Sequence, residues 1–257
     1  MTEKLLDREV QNILRLYMSK MNSGDKIISK TASWSFRGNT FKKFDAHINK
    51  SVPLYNECRD IYLKISDFFL QDKSRIIDIG SSTGTFLIEL TNRHKKNDKT
   101  MSFEGYDTVK QMIDFSKKKA GKKSKIKFFK KNVLSINFRK SCIVSSFYTL
   151  QFIPQNNRQF LVNKIYKELN WGGAFFLIEK VRGPDARFQD ILNQIYMEYK
   201  TDKGYTAGEI LSKSKSLKGV LEPFSSQGNL DMLKRAGFKD IMNIFKYGPF
   251  EGLIAIK

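Results

Sequence analysis

Residues 75–88, RIIDIGSSTGTFLI, decide how this chain folds. Ile76 and Ile77 open a short apolar run that ends at an acid, Asp78. Gly80, Ser82 and Gly84 punctuate a turn, and an apolar helical pattern resumes at Phe86. That order predicts a buried strand, a tight turn with exposed backbone N–H groups, and a helix N-terminus. Gly80 and Gly84 let a ligand come close without a Cβ in the way, so the loop is suited to hold a nucleoside by backbone contact.

Three chemistries use loops of this kind. A dinucleotide loop needs the G-x-G-x-x-G spacing, which GSSTGTF does not supply. Gly80–Gly84 fits the G-x-S-x-G elbow, with Ser82 as nucleophile. That mechanism needs a histidine well downstream to take the serine proton, and the chain has only His47 and His94. His94 lies near the end of the helix that the loop starts, which leaves the serine without its base. The third reading is the glycine-rich loop of class I S-adenosylmethionine (SAM) enzymes, where the acid before the loop orients the turn. It predicts a second acid at the end of the next strand. Met101–Tyr106 reads as that strand, and Asp107 follows it. A carboxylate there accepts hydrogen bonds from both ribose hydroxyls. The plainer alternative is that Asp107 caps the helix over Lys110–Lys118. With the loop upstream, the ribose role is the better reading.

At 257 residues and 40% hydrophobic content the chain is long enough for one large domain with its own core. No apolar run has the length of a membrane span, and Met1–Arg15 lacks the layout of a signal peptide. Cys58 and Cys142 sit in separate elements, so a reduced, cytoplasmic setting is the simplest expectation. Two histidines and two cysteines at such scattered positions do not make an ordinary zinc site, and no metal is expected. The formal charge of +20 raises the question of RNA. Of 46 basic residues 11 are arginine, leaving 35 lysines, whereas phosphate and base recognition favours arginine's planar fork. The densest patch, Lys117–Lys131, reads as a solvated face, and RNA affinity is not needed to explain it.

Taken in order, Leu5–Met21 has the apolar spacing of an amphipathic helix. Pro53 in SVPLY falls near the start of a helix running to Leu70, and residues 1–70 read as a helical lid over the nucleotide site. After Asp107 come strands over Ile126–Phe129, Ile143–Phe147 and Ala174–Ile178, with NWGG (Asn170–Gly173) as a turn before the last of these. Residues 184–221 form a helical insertion ahead of two final strands, Ile241–Tyr247 and Leu253–Ile256. The expected fold is α/β, a doubly wound, mostly parallel seven-stranded sheet in a single domain. Ligands then sit beyond the strand C-terminal ends, where Gly80, Asp107, Asn132 and Phe147 fall.

Longer stretches are more specific than the loop. WSF (Trp34–Phe36), FDAHINKSVPLY (Phe44–Tyr55), DIGSSTG (Asp78–Gly84), TLQFIP (Thr149–Pro154), LNWGGAFFLIEK (Leu169–Lys180) and GYTAGEI (Gly204–Ile210) occur in that order. From Trp34 to the C-terminus the chain resembles the carboxy-S-adenosylmethionine synthase family. The resemblance implies a class I methyltransferase fold, a homodimer, and SAM or carboxy-SAM in the site. It also implies transfer of the prephenate carboxyl group to the SAM methyl carbon, in service of tRNA wobble-uridine modification. Tyr55 matches a cofactor-contacting tyrosine, Gly80, Ser81 and Ser82 the loop, and Asp107 the ribose acid. Thr108 stands for an asparagine, Asn132–Val133 for an Asp-Ile pair beside the adenine, and Phe147 for an asparagine. Where the family has an arginine that grips the new carboxylate, ungapped alignment puts Ser214, so Lys213 and Lys215 become the candidate cations. A conventional SAM-dependent methyltransferase acting on a small molecule or RNA is the competing reading.

Overall fold

A computed structural model describes residues 22–25, 27–36, 40–95 and 100–257. The helix expected over Leu5–Met21 lies outside the described residues. Seven strands form one sheet: β1 (Arg75–Ile79), β2 (Ser102–Asp107), β3 (Lys127–Lys130), β4 (Ser141–Phe147), β5 (Leu169–Lys180), β6 (Asp240–Tyr247) and β7 (Phe250–Ile256). Their order is β3-β2-β1-β4-β5-β7-β6, with β7 antiparallel to both neighbours and the first five strands parallel.

The helices are α1 (Thr40–Ser51), α2 (Tyr55–Ile65), α3 (Thr85–Arg93), α4 (Lys110–Ala120), α5 (Gln155–Glu168), α6 (Ala186–Asp202), α7 (Ala207–Leu217) and α8 (Ser226–Ala236). The sheet has a core on each face, and β1 feeds both by alternation. Ile76 packs with Cys58 and Tyr62 of α2 and Leu87 and Leu90 of α3, whereas Ile77 and Ile79 pack with Leu161 and Val162 of α5 and Leu233 of α8. All three isoleucines are fully buried. Each contributes about 1.5–3 kcal/mol relative to exposure. Local signals set the helix ends. Thr206 and Glu209 make a reciprocal capping box on α7, and Gly237 ends α8 in the left-handed region.

Two local expectations change. Pro53 lies in a break between α1 and α2; the second helix starts at Tyr55 after left-handed Leu54 (φ 50°) and ends at Ile65. Asn170–Gly173 are part of β5, not a separate turn. Pairing with β4 runs Ser141↔Leu169 and then Ile143↔Ala174, so the extra residues bulge out and leave Trp171 exposed. The end of β7 holds the bulge, with Gly172 N bonded to Lys257 O and Lys257 N to Gly173 O.

From β1 the chain winds outward through β2 and β3; from β4 it winds the other way. The loops after β1 and β4 therefore diverge, and a crevice opens at that edge.

Candidate active site

The loop after β1 has three residues in the left-handed region, Gly80 (φ 72°), Ser82 (φ 49°) and Gly84 (φ 75°). The amides of Gly80, Ser81, Ser82 and Gly84 are taken up within the protein, where the expectation had them open to a ligand. Gly80 N and Ser81 N both donate to Tyr106 O, and Ser82 N donates to Asp107 Oδ2 at 3.0 Å. The glycines are needed for their φ angles and for packing. A Cβ on Gly80 collides with the Thr149 side chain, and one on Gly84 comes within 2.6 Å of the Phe128 ring. The loop thus shapes the wall rather than offering a row of donors.

Asp107 ties the crevice together. It accepts from Ser82 N through Oδ2 and from Val109 N through Oδ1 (2.8 Å), so it closes a short turn just ahead of α4, whose N-cap is Val109, and braces the glycine loop at once. Burial raises its pKa while those backbone bonds hold it down. Each oxygen has a further lone pair, so the pair of acceptors that a ribose diol needs is still there. Asp78 does not orient the turn directly. Its Oδ1 accepts from Ser145 Oγ on β4 (2.7 Å), and burial pushes its pKa up to about 7.

The crevice has a volume of about 1080 Å³. Tyr55, Gly80, Ser81, Ser82, Asp107, Thr108, Asn132, Val133, Phe147, Lys213 and Ser214 all line it. Lys215 does not: it is exposed, and its carbonyl accepts Ala32 N. Two residues along a helix turn the side chain by roughly 200°, so Lys213 and Lys215 cannot share a face. Ser81 Oγ is buried, unpartnered, and aimed at Gly105 rather than into the crevice. Asn132 Oδ1 accepts Leu134 N, and Phe147 packs edge-on against Phe86, 4.6 Å between ring centroids.

A line of aromatic rings runs along the other wall. Tyr55 stacks on Tyr148, Tyr148 meets Phe250, and Phe250 meets Tyr196. Tyr196 carries two ammonium groups over its ring, Lys200 at 4.3 Å and Lys180 at 4.6 Å. With Lys213 they put three lysines on one wall, and none of the three makes an ion pair among the described residues. Burial, and then the neighbouring lysines, pull Lys180 down to about 8, Lys200 to about 7 and Lys213 well below the usual lysine range. Three buried lysines with no ion pair among the described residues give this wall the chemistry to take up an anion, which would restore their protons.

Lys180, Lys200 and Glu179 were not among the residues singled out by spacing. Glu179, next to last in β5, accepts from the amides of Thr149, Leu150 and Gln151, fixing Tyr148–Phe152 above the crevice; burial raises it to about 8. The available signal was the Glu-Lys pair ending an otherwise apolar strand on the ligand side of the sheet. Lys200 gives no such signal, because only the path of α6 brings it to the wall.

A SAM-dependent transferase with the class I methyltransferase fold is the class to which this sheet order, the glycine loop and Asp107 at the end of β2 point. A family profile described as a methyltransferase domain matches residues 76–173. Magnesium protoporphyrin IX methyltransferase from Synechocystis PCC 6803, solved with bound SAH, superposes with a TM-score of 0.60 at 13% identity, covering 86% of this chain and 96% of that one. Full-length relatives narrow the class. Carboxy-S-adenosyl-L-methionine synthase of Staphylococcus epidermidis is 38% identical over 87% of this chain and 97% of its own. The Nautilia profundicola enzyme of the same name is 37% identical over 91% and 99%. The chain belongs to the carboxy-S-adenosyl-L-methionine synthase family, and SAM is its cofactor.

Proposed function

We propose that the chain transfers the carboxyl group of prephenate to the methyl carbon of SAM, giving carboxy-SAM and phenylpyruvate. The observation that supports this most is the trio Lys180, Lys200 and Lys213 on the crevice wall, none of them ion-paired among the described residues. Prephenate carries two carboxylates, and the trio answers their charge where the family uses an arginine fork. Lysine supplies point charges rather than bidentate geometry, so three of them replace orientation with number. SAM brings an electrophilic, acidified methyl group held on a sulfonium. Asp107 would hold the sugar by its remaining lone pairs, and Asn132 and Val133, which line the same crevice, would meet the adenine. Tyr55, Tyr148 and Phe147 wall the reacting end against water. The atoms balance without an added acid or base. The bond from the ring to the carboxyl carbon breaks, and a bond from that carbon to the methyl carbon forms. The methyl carbon gives up one proton, and the ring hydroxyl leaves with it as water.

Incubation with SAM and prephenate is expected to give, by mass spectrometry, a SAM adduct heavier by one carboxyl group. Wild-type protein that binds SAM yet never yields this mass overturns the reading. Conventional methyl transfer is the second reading. It draws on Phe147 and Ser214, which put an apolar ring and an uncharged side chain where the family has polar recognition. Its mark is S-adenosylhomocysteine as product.

The same reading places the product in tRNA wobble-uridine modification and the enzyme in the cytoplasm as a homodimer. For the dimer, α6 exposes Phe188, Ile191 and Ile195 on one side, 46–51% accessible, at helical spacing. Ile191→Glu together with Ile195→Glu is expected to halve the mass seen by sedimentation. A mass unchanged by that pair of charges rules out this face as the contact.

A further inference from the structure

Lys213 is held by more than the helix it stands on. Its Nζ lies 3.1 Å from His47 Nε2, and His47 Nδ1 lies 2.5 Å from Asp25 Oδ2. Tyr205 Oη donates to the same Asp25 oxygen at 2.9 Å, and Ser51 Oγ meets Tyr205 Oη at 3.1 Å. The rings around it leave His47 little freedom. Trp34 stacks on it, Tyr205 meets it edge-on, and the imidazole is 5% exposed. Asp25 sits on a loop pressed against Tyr205, because Gly24 (φ 94°) has no Cβ to strike that ring.

We infer that Asp25 and His47 are a positioning pair for Lys213. Asp25 fixes the neutral imidazole as its Nδ1–H tautomer, and the Nε2 lone pair then takes one Lys213 hydrogen and aims the ammonium into the crevice. A neutral imidazole has one N–H and one acceptor, so a carboxylate at Nδ1 leaves Nε2 only the accepting role. His47 faces Asp25, Tyr205, Ser51 and Lys213 directly, with Lys50 beyond Asp25 and Lys200 beyond Lys213. Burial and the Lys213 charge push its pKa down to about 4 against the pull of Asp25, which keeps the ring neutral near pH 7. The pair also ties down the loop that carries Asp25, but an anchor alone would not need an acceptor turned toward a crevice cation.

The inference rests on Lys213 gripping the anionic substrate, so its test has one arm that needs no turnover. Long-range proton–nitrogen NMR of the imidazoles in the whole chain is expected to show His47 as neutral Nδ1–H between pH 6 and 8. An Nε2–H tautomer or an imidazolium at pH 7 overturns the pairing, whether or not carboxy-SAM forms. The second arm separates positioning from packing. In His47→Gln the side-chain oxygen replaces Nε2 as acceptor, whereas His47→Asn keeps only the donor toward Asp25. Loss of one charge-assisted bond predicts a rise of about tenfold or more in KM for prephenate in His47→Asn and Asp25→Asn. His47→Gln should stay near wild type, with SAM affinity unchanged in all three. Equal KM in His47→Gln and His47→Asn, raised or not, overturns the inference. A wild-type protein that makes no carboxy-SAM removes the functional reading instead, and the NMR arm then decides alone.

Discussion

Gly80→Ala is expected to weaken SAM binding by roughly 100-fold, about 3 kcal/mol, measured by titration calorimetry. Two penalties add. The residue sits at φ 72°, where a side chain costs about 1–2 kcal/mol. The new Cβ also runs into Thr149, with Cγ2 only 2.6 Å away. Thr149 has nowhere to go, since its amide is bonded to Glu179 Oε1 and its hydroxyl to Phe147 O. The strain passes to Tyr148 and Phe147, which line the crevice, and to the amides that meet Tyr106 O and Asp107. Thr149→Ala alone should be mild, and adding it to Gly80→Ala should recover part of the loss, the signature of a shared contact. SAM binding within threefold of wild type in Gly80→Ala removes the claim that this turn shapes the cofactor wall.

The same position shows how far the sequence alone reaches. The glycines of DIGSSTG are readable because only a few loops tolerate that spacing, and Asp107 because it falls at the end of the next strand. Their physical reasons were not readable. Gly80 is denied a Cβ by Thr149, which lies far along the chain on a neighbouring loop. Burial on two faces leaves apolar runs that reveal the central strands β1, β4 and β5, yet the bulge at Asn170–Gly173 depends on Lys257, just past β7, closing over it. Lys213 and Lys215 look equivalent in a lysine-rich run, and the turn of the helix separates them. Lys180 and Lys200 meet only because β5 and α6 converge on the Tyr196 ring. Local pattern carries the fold and the nucleotide half of the crevice; the anion half is a product of long-range topology.

Lys200→Met should therefore do two opposite things. Without an anion, the wild-type ammonium is 9% exposed, faces Lys180, and has no acid beside it. Methionine fills similar volume without the charge, and replacing buried charge by an apolar side chain stabilises by about 1–4 kcal/mol where packing is kept. A gain near 2 kcal/mol corresponds to roughly 4–8 °C in Tm for a chain of this size. The pH dependence has a definite sign. Folded Lys200 titrates at about 7 and an unfolded lysine near 10.4, so between these values the unfolded state holds more protons and stability rises with pH. Below pH 7 the penalty is present in full; it falls as the pH rises from 7 and is gone only above the unfolded value of 10.4. The advantage of Lys200→Met should be largest near pH 6.5 and fade toward pH 10. Turnover with prephenate should move the other way, falling at least tenfold in kcat/KM, since a buried charge-assisted contact is lost. SAM affinity measured alone should not fall, because the sulfonium gains nothing from a nearby ammonium. A Lys200→Met enzyme that is less stable at pH 6.5, or that turns over prephenate as wild type does, would show that the three lysines are not an anion site. A gain in stability coupled to a loss of turnover is what a site kept strained for its ligand must give.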